Sequence, residues 1–230
     1  MSATVHPRLA PRRGAARAVL WWGKAWVRAV EESAYAEGDL RAGRTLARSG
    51  HVGQVTTDEG GFVAAVEDED GLWTVSGTVP VLDATASEAL VETVAAESGR
   101  VLALLAGDLP HALVEHAEEA GVELLPYGGE LATECTCDAW VDPCAHALAV
   151  LYQLTWLVEA DPFVLLQLRG LPRDRLLAQL HRRAQAAGKP AARRDGSGED
   201  TLETGLDAAL RAARILAVLD EADGPLDHLF

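Results

Sequence analysis

The chain has 230 residues and a net charge of −15, with 35 acidic against 20 basic side chains and only three cysteines. That length supports a sizeable core in one domain or two small ones. No apolar run reaches the ~20 residues a membrane span requires, no apolar signal segment follows the basic start, and the cysteines are spaced for metal instead of disulfides, so a reducing cytoplasm is the expected compartment.

Charge is unevenly spread. Residues 1–30 hold six basic and no acidic side chains, residues 51–134 hold seventeen acids against one arginine, and residues 161–198 hold eight basic against three acidic. Screening over ~8 Å at physiological salt lets such basic patches act locally on a chain that is acidic as a whole.

In chain order, residues 1–17 are Pro-, Ala- and Arg-rich without an apolar period and read as a mobile basic arm. From Ala18 to Glu32 the apolar positions Ala18, Trp22, Ala25, Trp26, Ala29 and Val30 share one side of a helix; the tryptophans read as its anchor to the core, the alternative for tryptophans interleaved with basic residues being base stacking as in single-strand binders. Arg41, Arg44 and Arg48 follow at near-helical spacing before Ser49-Gly50 and read as a solvated face by default, with a basic stripe as the alternative. Val52–Thr57, Phe62–Glu67 and Leu72–Leu82 are β-prone pieces split by Asp58-Glu59-Gly60-Gly61 and Glu67-Asp68-Glu69-Asp70-Gly71, which predicts a small antiparallel sheet. The second turn lacks the ligand spacing of a calcium loop. Ser87 reads as a helix cap, and helical patterns continue through Leu102–Leu105 and His111–Ala120 up to Gly121. His111 and His116 have no partner at metal spacing. Val122–Leu125 and Leu131–Cys137 are expected as two strands leading into Asp142-Pro143, a capped helix start. A further helix is expected over Arg173–Ala187, then a polar linker at 188–199 and an amphipathic helix over 200–230.

The chemistry is concentrated between Cys135 and His146, a twelve-residue window that holds every cysteine: Cys135, Cys137, Cys144, then His146. Three thiolates and an imidazole complete the tetrahedral set that zinc prefers, which points to Zn2+ as the cofactor. Residues two apart on an extended segment point the same way, so Cys135 and Cys137 can grip one ion together. Cys144 and His146 then ligate from the irregular first turn of the next helix. The free imidazole N–H needs an acceptor, for which Asp138, Asp142 or a backbone carbonyl are the candidates.

Cys-x-Cys, a short spacer, Cys-x-His and an apolar helix resemble the SWIM-type zinc finger, most tightly from about Leu131 to Gly170 and more loosely from Trp21 to Leu180. The predicted elements make an α+β arrangement: a small antiparallel sheet with helices over 18–120, then a ββα-like finger and following helices over 121–187. The resemblance implies binding to nucleic acid or protein, with a helicase-like ATPase as partner in the bacterial type. Many members carry a basic residue before the histidine, whereas this chain has Ala145.

Three readings follow. The first is a zinc-stabilised module assisting nucleic-acid transactions, with DNA or RNA contacted by the arginines after the finger, Arg169, Arg173, Arg182 and Arg183. The second is a protein-binding adaptor with no nucleic-acid contact. An enzyme is disfavoured, because the chain has no phosphate loop, nucleophile elbow or Glu-equipped histidine pair, and a four-ligand zinc cannot activate water.

Overall fold

The structure, a computed structural model, describes residues 3–12 and 18–187. The chain divides into two units, Met1–Ala184 and Gln185–Phe230. The expected linker and the C-terminal amphipathic helix lie outside the described residues.

Strand β1 (Thr4–His6) opens the chain, followed by helices α1 (Trp21–Ser33) and α2 (Glu37–Ser49). Strands β2 (Val52–Asp58), β3 (Gly61–Glu67) and β4 (Leu72–Thr78) come next, then α3 (Ala84–Ala95), α4 (Ser98–Leu105) and α5 (His111–Glu119). A single 3-10 turn at Gly128–Glu130 precedes β5 (Ala132–Cys135), and α6 (Ala145–Ala160), α7 (Pro162–Leu168) and α8 (Arg173–Ala187) complete the described chain.

The five strands form one antiparallel sheet in the order β1-β2-β3-β4-β5. Alternation puts Val55 and Thr57 of β2 and Phe62, Ala64 and Val66 of β3 on the buried face. The α+β class and the β2–β4 hairpins therefore follow the sequence pattern, but two expectations are corrected. Part of the supposed mobile arm is a sheet edge: Thr4 pairs with Thr57, and His6 Nε2 lies 2.9 Å from Thr57 Oγ1. Val122–Leu125 is not a strand. Val122 and Leu124 are buried alternately as expected, but the Glu123 carbonyl is taken by the Arg169 guanidinium at 2.7 Å instead of by a neighbouring strand.

Helix α6 is the hub. Eleven of its sixteen residues are buried, which only a helix packed on all sides can satisfy. Both α1 and α2 lie against it, as does the sheet. The predicted anchor of α1 is real: Trp22 and Trp26 are buried and donate their indole N–H groups to the α6 carbonyls of Val158 and Leu151, at 3.1 and 3.3 Å. Helix α2 crosses α6 at Gly43, where a Cβ would stand 2.7 Å from Leu148 Cβ, so the close approach requires glycine. It ends at Gly50 in the left-handed region, φ 78°, whose N–H returns to the Leu46 carbonyl. The start of α7 is capped, with the Asp161 carboxylate accepting from Phe163 N–H at 2.9 Å and Pro162 in the first turn. Helix α3 is capped by Asp83, four residues before the expected Ser87. Arg100, the lone arginine of the acidic middle, is buried and donates to the Thr93 carbonyl at 2.6 Å.

No helix among the described residues is long and apolar enough to cross a membrane.

Candidate metal centre

Strand β5 is an edge of the common sheet, so the first two cysteines are held by β4 and not by a separate finger. Cys135 stands opposite Val75, and pairing continues beyond the strand through Thr136 N–H to the Thr74 carbonyl at 3.0 Å. The Thr136 hydroxyl in turn accepts from Thr74 N–H at 2.9 Å. These bonds keep the segment extended, so Cys135 and Cys137 face the same way. The loop from Asp138 to Pro143 returns the chain through a cis Asp142-Pro143 bond, and the Thr133 hydroxyl donates to the Asp142 carboxylate. Cys144 is the N-cap of α6, with extended backbone, and His146 is the second residue of the helix. The helix thus begins two residues later than the Asp142-Pro143 signal suggested.

The structure brings all four sequence-predicted ligands together, their donor atoms lying within 4.8 Å of one another. Cys137 Sγ is 3.5 Å from Cys144 Sγ, and His146 Nδ1 is 3.8 Å from Cys135 Sγ and 4.0 Å from Cys144 Sγ. Zn–S bonds of about 2.3 Å in a tetrahedron require S···S edges of ~3.8 Å, so these separations fit one small cation at the centre. All three thiols are free. Burial pushes the Cys135 thiol up to about 12 and raises that of Cys144. At Cys137 burial acts in the same direction but is outweighed by hydrogen bonds from the Ala139 backbone, His146 and the other two cysteines, and the net shift is downward. Three thiols so crowded cannot all ionise without a compensating cation, which is the service a zinc ion performs.

The acceptor for the imidazole is neither Asp138 nor Asp142 but Asp68, in the acidic β3–β4 turn. His146 Nε2 lies 2.7 Å from Asp68 Oδ2, which assigns the N–H to Nε2 and leaves Nδ1 for the metal. Asp68 is itself fixed: its Oδ1 accepts from Trp73 Nε1, Asp70 N–H and Gly71 N–H, each at 3.0 Å. The hydrogen bonds from His146 and then Trp73 hold its carboxyl down at about 2. The Trp73 ring also stacks on the imidazole, with centroids 5.8 Å apart and planes at 28°. Spacing in the sequence could not find this support, because Asp68 and His146 are 78 residues apart.

The four arginines expected to face phosphates have different settings, Arg173 and Arg182 being exposed on α8 and the other two engaged with neighbouring groups. Arg169 is buried, and its guanidinium donates to the Pro80 and Glu123 carbonyls at 2.6 and 2.7 Å, so it braces the loops beside α7 and is withdrawn from any surface. Arg183 is held between Glu88 and Glu92 at 3.3 and 3.1 Å, and Arg173 lies over the Phe163 ring at 5.2 Å. Arg182 is exposed on α8. Arg41, Arg44 and Arg48 on α2 line a groove against α1 and α6, which fits the basic stripe better than the solvated face.

Comparison with known proteins agrees with the metal centre. The chain is 29% identical over 174 residues to the uncharacterized protein Rv2102 of Mycobacterium tuberculosis, a match covering 75% of this chain and 62% of that protein, so the chain spans less than two thirds of that relative's length. No solved structure matches. Residues 121–154, which contain Cys135, Cys137, Cys144, His146 and the first ten residues of α6, match the family model of the SWIM zinc finger.

Proposed function

We propose that the protein is a non-catalytic binding module built on a structural zinc, which assists nucleic-acid transactions together with a helicase-like ATPase. The observation that carries this reading is the closed donor set. Three thiolates and His146 Nδ1 use all four tetrahedral positions, and Asp68 engages the remaining imidazole nitrogen, so no position is left for a reacting water. Such a site holds a shape. Its worth in small fingers, ~10–16 kcal/mol, is comparable with the stability of a whole domain. The family match at residues 121–154 supports the zinc finger itself, and the nucleic-acid and ATPase half of the reading rests on the resemblance of Leu131 to Gly170 to bacterial SWIM-type proteins.

The metal loop is not where a phosphate would bind. It carries Asp138 and Asp142 around a net-negative cluster, with no lysine or arginine between Glu134 and Pro162. A second reading, a protein-binding adaptor, is favoured by Trp140 in that loop, a residue fully exposed at 101%. A large apolar side chain held out by metal-anchored ends suits an anchor for a protein partner. Salt separates the two readings, because phosphate binding weakens steeply with added salt and apolar docking does not. The test is DNA and RNA binding at low ionic strength, alone and with a helicase-like ATPase. If no salt-dependent binding is found, the adaptor reading replaces the first. Turnover of any substrate by zinc-depleted protein would overturn both.

A further inference from the structure

Helices α1 and α2 both pack on α6 and leave between them a groove of about 600 Å³. The walls follow from helical spacing. Lys24, Val27 and Glu31 are three and four residues apart on α1, Arg41, Arg44 and Arg48 likewise on α2, and Tyr152 and Trp156 rise one turn apart from α6 as the floor. Four cations therefore face one carboxylate in a chain whose net charge is −15. A fifth cation joins at one end, where the Arg12 guanidinium lies over the Trp156 ring at 4.3 Å.

Two of these cations are only lightly engaged. Arg41 pairs with Glu37 one turn away across a solvent-exposed contact, with side-chain exposures of 70% and 75%, and such a pair yields readily to a better anion. Lys24 is exposed. Arg44 is the fixed member, held by Glu31 at 2.5 Å and by the Tyr152 hydroxyl at 2.9 Å, and it sets the geometry of the wall. The acidic residues of the sheet turns and of α3 to α5 do not line the groove.

We propose that this groove binds the backbone of single-stranded nucleic acid, a proposal that rests on the nucleic-acid half of the function above. The cations on α2 extend over ~10 Å of helix, from Arg41 to Arg48, which makes a row and not a point. A row of cations along a cleft of about 600 Å³ suits the phosphates of one strand, whereas a duplex is too thick to enter; Tyr152 and Trp156, both buried, close the cleft from beneath and are not stacking platforms. A mononucleotide polyphosphate fits less well, because its usual cradle of backbone N–H groups from a glycine-rich loop at a helix N-terminus has no counterpart among the lining residues.

The test is fluorescence anisotropy of labelled poly-dT and poly-U strands, and of a duplex of equal length, titrated with the full zinc-loaded chain across salt concentrations. The variant pair Lys24→Glu/Arg41→Glu alters two exposed side chains, and its fold is checked by zinc content and Tm. The pair Arg173→Glu/Arg182→Glu changes net charge by the same amount elsewhere. Expected is a loss of at least ~10-fold in single-strand affinity for the groove pair, with the salt slope reduced by ~1.4, that is ~0.7 for each lost phosphate contact, and little loss for the other pair. Arg41→Lys should retain most of the binding. Equal losses in both pairs, a larger loss in the second pair, or a preference for duplex would overturn the groove. Salt-dependent binding that the groove pair leaves intact would overturn the groove alone, and no wild-type binding would overturn both the groove and the nucleic-acid half of the function.

Discussion

Replacing Asp68 by asparagine isolates one hydrogen bond at the metal centre. The amide keeps an oxygen that can still accept from Trp73 Nε1 and from the Asp70 and Gly71 N–H groups, so the β3–β4 turn survives. The position of Oδ2 becomes an NH2, which meets the His146 Nε2–H donor to donor at a distance of 2.7 Å. The imidazole then loses both its orienting partner and the negative charge that raises its basicity. Loss of such a support weakens metal affinity by roughly 10- to 100-fold. The protein should still load fully in excess zinc, since four ligands remain, but should surrender the ion earlier to a chromophoric chelator in competition. Asp138→Asn should match the wild type in the same assay. Acid is a poor substitute for the mutation. A carboxyl held at about 2, below its ordinary 3.8, contributes fully above 3.8 and is lost only as the pH falls through 2, well after the thiolates have been protonated. Zinc affinity within twofold of wild type in Asp68→Asn, alongside complete zinc loss in Cys144→Ser, would refute the reasoning.

Zinc titration at pH 7 should release at least two protons per ion, because the Cys135 thiol at about 12 and the raised Cys144 thiol both carry protons there; calorimetry in buffers of different ionisation enthalpy measures this, and affinity should rise with pH. Chelation should deprotect amides from Ala132 to His146 while Leu148 to Val158, buried among α1, α2 and the sheet, stay slow to exchange, and uniform protection would count against a structural metal. Gly43→Ala should cost ~1–3 kcal/mol by forcing α2 away from Leu148, seen as a lower Tm with zinc content unchanged.

Several elements were legible because their information is local. Alternating apolar residues and Gly-bearing turns marked β2, β3 and β4, and the apolar stripe of α1 marked its buried tryptophans. The four ligands were legible for the same reason, since all the cysteines and His146 fall within twelve residues. Local pattern fails where a distant partner overrides it. Thr4–His6 sits in a Pro- and Arg-rich stretch with no strand signal, yet the free edge of β2 recruits it. The segment from Val122 has a strand's alternation but no ladder, because a side chain from beyond α7 takes its carbonyl.

The same division holds for function. By itself the sequence determined the donor set, its approximate geometry and the distribution of charge, because residue type and short spacing dictate which ligands can share an ion and which helix positions share a face. Only the tertiary structure decided what each charge is for. It buried Arg169 as a brace, set Arg183 between two glutamates, turned Asp68 from a turn residue into the support of His146, and gathered the α1 and α2 cations into one groove. The physical reason is that a side chain's role depends on what lies within about 3 Å to 4 Å of it, and for these residues those neighbours come from chain segments far away in sequence.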